Sequence, residues 1–150
     1  MTTSPVTLAI ASDHAGYDVK EQIRHALEGR YEIIDLGAHS TESVHYPDFG
    51  ASMADAIITG RATRGILICG TGIGISIAAN RFQGVRAALC TDTTMARLAR
   101  QHNDANVLAL GARISGMEVM MDCVTIFMDT AFEGGRHGTR VAMLDRQGKE

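Results

Sequence analysis

Five short β-branched runs recur along this chain, and helical periodicity fills the stretches between them. That alternation constrains the fold more than any other feature. The runs are Val6 to Ala11, Glu32 to Leu36, Gly65 to Cys69, Arg86 to Leu89 and Val107 to Leu110. Between the first two, Val19, Ile23, Ala26 and Leu27 share a helix face, and Met53, Ile57 and Ile58 do so before the third. A continuous apolar run such as Gly65-Ile66-Leu67-Ile68-Cys69 suits a strand covered on both sides. The pattern predicts an α/β fold: a three-layer α/β/α sandwich around a Rossmann-like five-stranded parallel sheet.

The apolar segment Met117 to Phe132 is long enough for a fifth helix with a wide buried face. Glu133-Gly134-Gly135 then breaks it, and a separate C-terminal helix is expected over about 139–147. With 150 residues and no repeat or linker, residues 1–150 are expected to form one domain.

Charge and composition remove several functions. Fourteen Lys and Arg against seventeen Asp and Glu give a net charge of -3, which lacks the long-range attraction of a nucleic-acid or anionic-membrane binder. No apolar run approaches the roughly 20 residues that span a bilayer. The three cysteines, Cys69, Cys90 and Cys123, are far apart without C-x-x-C spacing, which fits reduced thiols and a cytoplasmic location.

In an open parallel sheet the ligand-binding loops leave the carboxyl ends of the strands. At that edge the sequence places Ser12, Asp13, His14 and Gly16 after the first strand, then Gly70, Thr71, Gly72 and Gly74 after the third. Asp92 follows the fourth strand, and Gly111 and Arg113 the fifth. Cys69-Gly70-Thr71-Gly72-Ile73-Gly74 is a buried strand entering a glycine-rich turn that opens a helix. Such a turn can aim several backbone N–H groups at one anionic oxygen, or it can need glycine for packing alone.

Spacing excludes two familiar glycine motifs. A dinucleotide fingerprint would require Gly or Ala where Ile75 stands, and a nucleotide-hydrolase phosphate loop would require a lysine, of which none lies between Lys20 and Lys149. Ser76 falls inside the helix rather than on a nucleophile elbow.

Three groups of side chains carry possible chemistry, each beside a structural reading. Cys69 ends its strand where helix amides favour a thiolate, yet a free cysteine there also suits the core. His102 follows Met95, Leu98 and Ala99 on one helix face, so it is either a buried histidine or, within Gln101-His102-Asn103-Asp104, an acid/base. Arg136 and Arg140, with His137 between them, form either a phosphate clamp or a solvated basic turn. His14, His25, His39, His45 and His137 are scattered, so no metal site is expected.

Taken together, Ser12-Asp13-His14-Ala15-Gly16, Cys69-Gly70-Thr71-Gly72-Ile73-Gly74, Gln101-His102-Asn103-Asp104 and Gly134-Gly135-Arg136-His137 resemble the type B ribose-5-phosphate isomerases over nearly the whole chain. The resemblance implies an aldose–ketose isomerase that works through an enediolate without metal or organic cofactor. By it, Cys69 is the base that carries the proton between C2 and C1, and the Gly70, Gly72, Ile73 and Gly74 segment holds the enediolate oxygen. His102 opens the furanose ring with Thr71 nearby, Asp13 and Asn103 orient sugar hydroxyls, and Arg113, Arg136 and Arg140 bind phosphate with His14 and His137. Some members place a glutamate base after the glycine loop. Here Ile73, Gly74, Ile75 and Ser76 stand there, so the chain looks like the cysteine variant.

A helix that follows the fourth strand runs back across the sheet, which puts His102 near the amino edge and away from Cys69 of the same chain. This predicts a homodimer with shared active sites, and leaves a tetramer open. A sugar phosphate is the expected small-molecule partner, with no nucleic acid or membrane. Sibling isomerases acting on allose 6-phosphate or galactose 6-phosphate, and a non-catalytic sugar-phosphate sensor, are the competing readings.

Overall fold

The computed structural model describes residues 6–148. Five parallel strands, β1 (Thr7–Ser12), β2 (Glu32–Asp35), β3 (Arg64–Cys69), β4 (Ala87–Leu89) and β5 (Val107–Gly111), form one sheet in the order β2-β1-β3-β5-β4. Six α-helices connect and flank them: α1 (Tyr17–Leu27), α2 (Tyr46–Ile58), α3 (Ile73–Asn80), α4 (Thr93–Asn103), α5 (Met117–Asp129) and α6 (Arg136–Arg146). This is the α/β, Rossmann-like sandwich that the alternation predicts.

The sheet separates two apolar layers because successive side chains of a strand point to opposite faces. Ile66 and Ile68 of β3 join Leu8, Ile10, Ile23, Leu108, Val124 and Phe127 on one face. Leu67 and Cys69 join Ala9, Ala11, Met53, Ile75 and Ala109 on the other. Small residues on this second face let its helices approach closely. A Cβ at Gly50 of α2 would fall 2.6 Å from the Cβ of Ala78 in α3. The alternation therefore aims the Cys69 side chain into the layer that α2 and α3 cover.

Every strand differs from the sequence reading by one residue at one end or both, and α5 and α6 differ by more. Val6 lies outside β1 and is exposed, whereas Ser12 extends that strand. Helix α5 stops at Asp129 rather than Phe132 because Thr130 turns extended and its carbonyl accepts from the Arg100 guanidinium at 3.1 Å. Helix α6 begins at Arg136, not at 139. Gly134 and Gly135 both take positive φ, so the chain reverses and starts the helix at once, and His137 N–H donates to the Gly134 carbonyl. Gly138 inside the first turn costs about 1 kcal/mol relative to alanine, which is why composition alone places the helix after it.

Candidate active site

Strand β3 delivers Cys69 to the carboxyl edge, where the residue is only 5% exposed. The chain then folds back over it. Gly72 adopts φ 80, and its amide donates to the Cys69 sulfur at 3.1 Å. Thr71 Oγ1 accepts from the Ile73 amide at 3.2 Å, so the threonine caps the first turn of α3. Amides in the first turn of a helix have no intrahelical carbonyl to meet, and here that positive end opens beside a sulfur. The loop packs closely on its inner side, while Thr71 and Ile73 stay exposed. A Cβ at Gly111 would fall 2.5 Å from the Thr71 carbonyl oxygen, and one at Gly74 would fall 2.6 Å from Tyr46 Cε1.

Neighbouring strands bring the remaining carboxyl-edge groups. Asp13 is buried; its amide donates to the Ile68 carbonyl at 3.2 Å and its carboxylate accepts from the Gly16 amide at 3.1 Å. His14 Nδ1 accepts from the Val44 amide at 3.1 Å, which fixes the proton of a neutral ring on Nε2 and ties down the loop after β2. The Arg113 amide donates to the Gly70 carbonyl at 2.8 Å, and its guanidinium folds over Gly70, 3.4 Å from where a Cβ would stand. One chain thus assembles Asp13, His14, Cys69, Gly70, Thr71, Gly72, Ile73, Gly74 and Arg113 at a single edge.

The other candidates lie at the opposite edge. Gly65 pairs with Val107 and Cys69 with Gly111, and α4 ends at Asn103, just before β5 begins. The level of His102 is therefore about 13 Å or more from that of Cys69 along the strands. His102 is not buried on the apolar face of α4, because the core on that face ends with Ala96 and Ala99. Its side chain is 40% exposed and stacks on His137 of α6, with ring centroids 4.3 Å apart and planes 8° from parallel. Arg136 and Arg140 stand on the same helix as His137.

Two residues that the sequence reading passed over belong to these clusters. Tyr46 opens α2 and lays its ring on Gly74; the loop after β2 leaves the same sheet edge as the others, and that topology was the available signal. Glu133 places Oε1 3.5 Å from His102 Nε2 and 3.8 Å from His137 Nε2. His102, Glu133 and His137 are a donor set capable of holding a metal, which spacing in the sequence does not suggest. Their orientation does not favour one: imidazole lone pairs lie in the ring plane, and two nearly parallel rings point them side by side rather than at a common ion.

Electrostatics sort the titratable groups. Burial pushes the Cys90 thiol up to about 12 and raises that of Cys123, so both are inert packing residues. Partial desolvation, then the neighbouring His102 and Arg136, lowers the His137 pKa, so His137 is neutral at pH 7. A cavity of about 530 Å³ beside Asn103, lined by Phe82, Arg86, Leu144 and Asp145, holds no cysteine or histidine.

A buried cysteine beside the first amides of a helix, at the carboxyl edge of an open parallel sheet, places the chain among α/β proteins whose small-molecule sites lie at that edge. Sequence comparison carries this further: residues 8–144 match the ribose/galactose isomerase family, and the chain belongs to it. It is an aldose–ketose isomerase. The ribose-5-phosphate isomerase B of Escherichia coli is 46% identical over 138 residues, covering 91% of this chain and 93% of that one. The solved structure of Clostridium thermocellum ribose-5-phosphate isomerase B has 52% identity and a TM-score of 0.92, covering 93% of this chain and 95% of the other. A D-erythrulose-4-phosphate isomerase of Pectobacterium atrosepticum is 41% identical over 141 residues, 93% of each chain.

Proposed function

We propose that this chain interconverts D-ribose 5-phosphate and D-ribulose 5-phosphate, a step of the pentose phosphate pathway, through an enediolate. The observation that carries the reading is the Gly72 amide on the Cys69 sulfur, which joins a base and an anion nest at one point. In the open-chain aldose, the Cys69 thiolate takes the C2 proton while the carbonyl electrons move onto O1. The glycine-loop amides stabilise that oxygen. The sulfur then returns the proton to C1, the O2 proton passes to O1, and C2 becomes the carbonyl. The scheme uses neither metal nor organic cofactor.

Ring opening and phosphate binding draw on both clusters. His102 acts as acid and base on the furanose near Thr71, Asp13 and Asn103 orient hydroxyls, and Arg113, Arg136 and Arg140 hold the phosphate with His14 and His137. Phosphate contacts contribute binding energy remote from the reacting carbons. Since one chain carries Cys69 and His102 at opposite sheet edges, the working unit is a homodimer in which each site takes His102, Asn103, Arg136, His137 and Arg140 from the partner. Free thiols at all three cysteines support a cytoplasmic setting. Among the described residues no helix is long and apolar enough to cross a membrane.

Substrate length has a second reading, because the family name includes galactose and one relative is named for a four-carbon sugar phosphate. Turnover measured on four-, five- and six-carbon aldose phosphates separates the cases. The highest kcat/KM is expected on ribose 5-phosphate; a higher value on either other length overturns the assignment.

A further inference from the structure

We propose that Glu133 is a positioning residue for His102: its carboxylate holds the Nε2 side of the imidazole, leaving Nδ1 to exchange the proton during ring opening. The inference rests on the proposed role of His102 and deepens it. Glu133 is fixed by its own backbone, whose amide donates to the Gln101 carbonyl at 3.1 Å, next to His102 in the chain. From there Oε1 reaches His102 Nε2 at 3.5 Å and His137 Nε2 at 3.8 Å. Such distances in a ligand-free site tighten when substrate displaces water.

The stack defines what Glu133 can do. His137 covers one face of His102 at 4.3 Å, so His102 rotates only by losing that contact. Two stacked imidazolium ions beside Arg136 and Arg140 would repel, and the lowered pKa of His137 keeps its ring neutral. The single negative charge of Glu133 is then available to His102. In the reaction, His102 Nδ1 takes the O1 proton of the furanose, the C1–O4 bond breaks as C1=O1 forms, and the same proton passes to O4. The transient imidazolium faces Glu133, which lowers its energy as a carboxylate behind a catalytic histidine does elsewhere. Neighbouring Arg100 keeps the helix end in place, with its Nη1 donating to Asp104 at 2.8 Å and to the Ala105 carbonyl at 2.6 Å.

The chemistry of the two sugars supplies the test. Ribulose 5-phosphate has its carbonyl at C2 and its C5 oxygen esterified, so it is open-chain, whereas ribose 5-phosphate is a furanose. Glu133→Gln keeps the backbone contact and the side-chain size. It is expected to lower kcat on ribose 5-phosphate about 10- to 100-fold, the scale on which groups that orient a histidine count. KM and the exchange of the ribulose 5-phosphate C1 proton with heavy water should be unchanged. Nitrogen-15 spectra of the full enzyme should show His102 shifting from its Nε2–H tautomer, and Glu133→Asp should restore part of kcat. Equal loss of both activities, or wild-type kinetics with an unchanged tautomer, overturns the inference. His102→Asn is the control: if it opens the furanose normally, the role of His102 itself fails; if it is inactive while Glu133→Gln is normal, only the inference fails.

Discussion

The Gly72 amide donates to the Cys69 sulfur at 3.1 Å, and this one contact ties the end of a buried strand to the start of a helix. In the proposed reaction the loop that would hold a substrate oxygen thus also holds the sulfur in place. Tyr46 and Arg113 pack against the neighbouring Gly74 and Gly70.

Cys69→Ala is therefore expected to fold normally and to lose isomerase activity by about 10²- to 10⁴-fold, the usual worth of a positioned acid–base group. Ile73 to Ser76 offer no carboxylate to take over. Near-normal turnover in a correctly folded variant would refute the assignment.

Gly72→Ala tests the loop without touching the sulfur. A side chain at φ 80 costs about 1–2 kcal/mol, and its Cβ would stand 2.6 Å from Leu89 Cδ1 and 2.9 Å from the Leu110 carbonyl carbon. The backbone must shift, and the 3.1 Å bond to Cys69 goes with it. Expected outcomes are a lower denaturation midpoint and reduced isomerase turnover. Wild-type turnover in the folded variant would show that the Gly72 amide does not position the sulfur.

The β3-loop-α3 segment was legible in the sequence because a continuous apolar run, three glycines and a helical pattern meet there, and each is a local signal. Local signals also placed all five strands. They could not place Glu133, whose meaning depends on helices that the chain brings together from residues 102 and 137. Nor could they assign Tyr46, because contact with Gly74 arises only when α2 packs on α3. His102 was half legible: its spacing marks the face of α4, while the end of the core before it, and hence its exposure, is set by the approach of α6.

Because Cys69 and His102 sit at opposite edges of one chain, complementation distinguishes a shared site from a closed one. Inactive Cys69→Ala and His102→Asn chains, mixed in equal amounts and allowed to exchange, give half heterodimers with one intact site each. Recovery on the order of one quarter of wild-type turnover is expected by the statistics of a two-fold dimer. No recovery after subunit exchange is proven by mass spectrometry would argue against sharing.

Acid stability depends on a network at the opposite flank of the sheet. Lys20 is fully buried, with Nζ 2.9 Å from Glu21 and 2.8 Å from Asp35, and Asp35 also accepts from the Gly37 amide in the loop that His14 anchors. Hydrogen bonds from Arg24 and then Lys20 hold the Glu21 carboxyl at about 2, against an ordinary 4.5. A depressed carboxylate stabilises the fold above pH 4.5, and that contribution is lost as pH falls from there toward 2. Glu21→Gln should thus cost about 1 kcal/mol at pH 7 once solvent screening is allowed for, and the two proteins should converge near pH 2. Urea denaturation across this range measures the gap. A difference that stays constant with pH would mean that packing, rather than charge, is what Glu21 contributes.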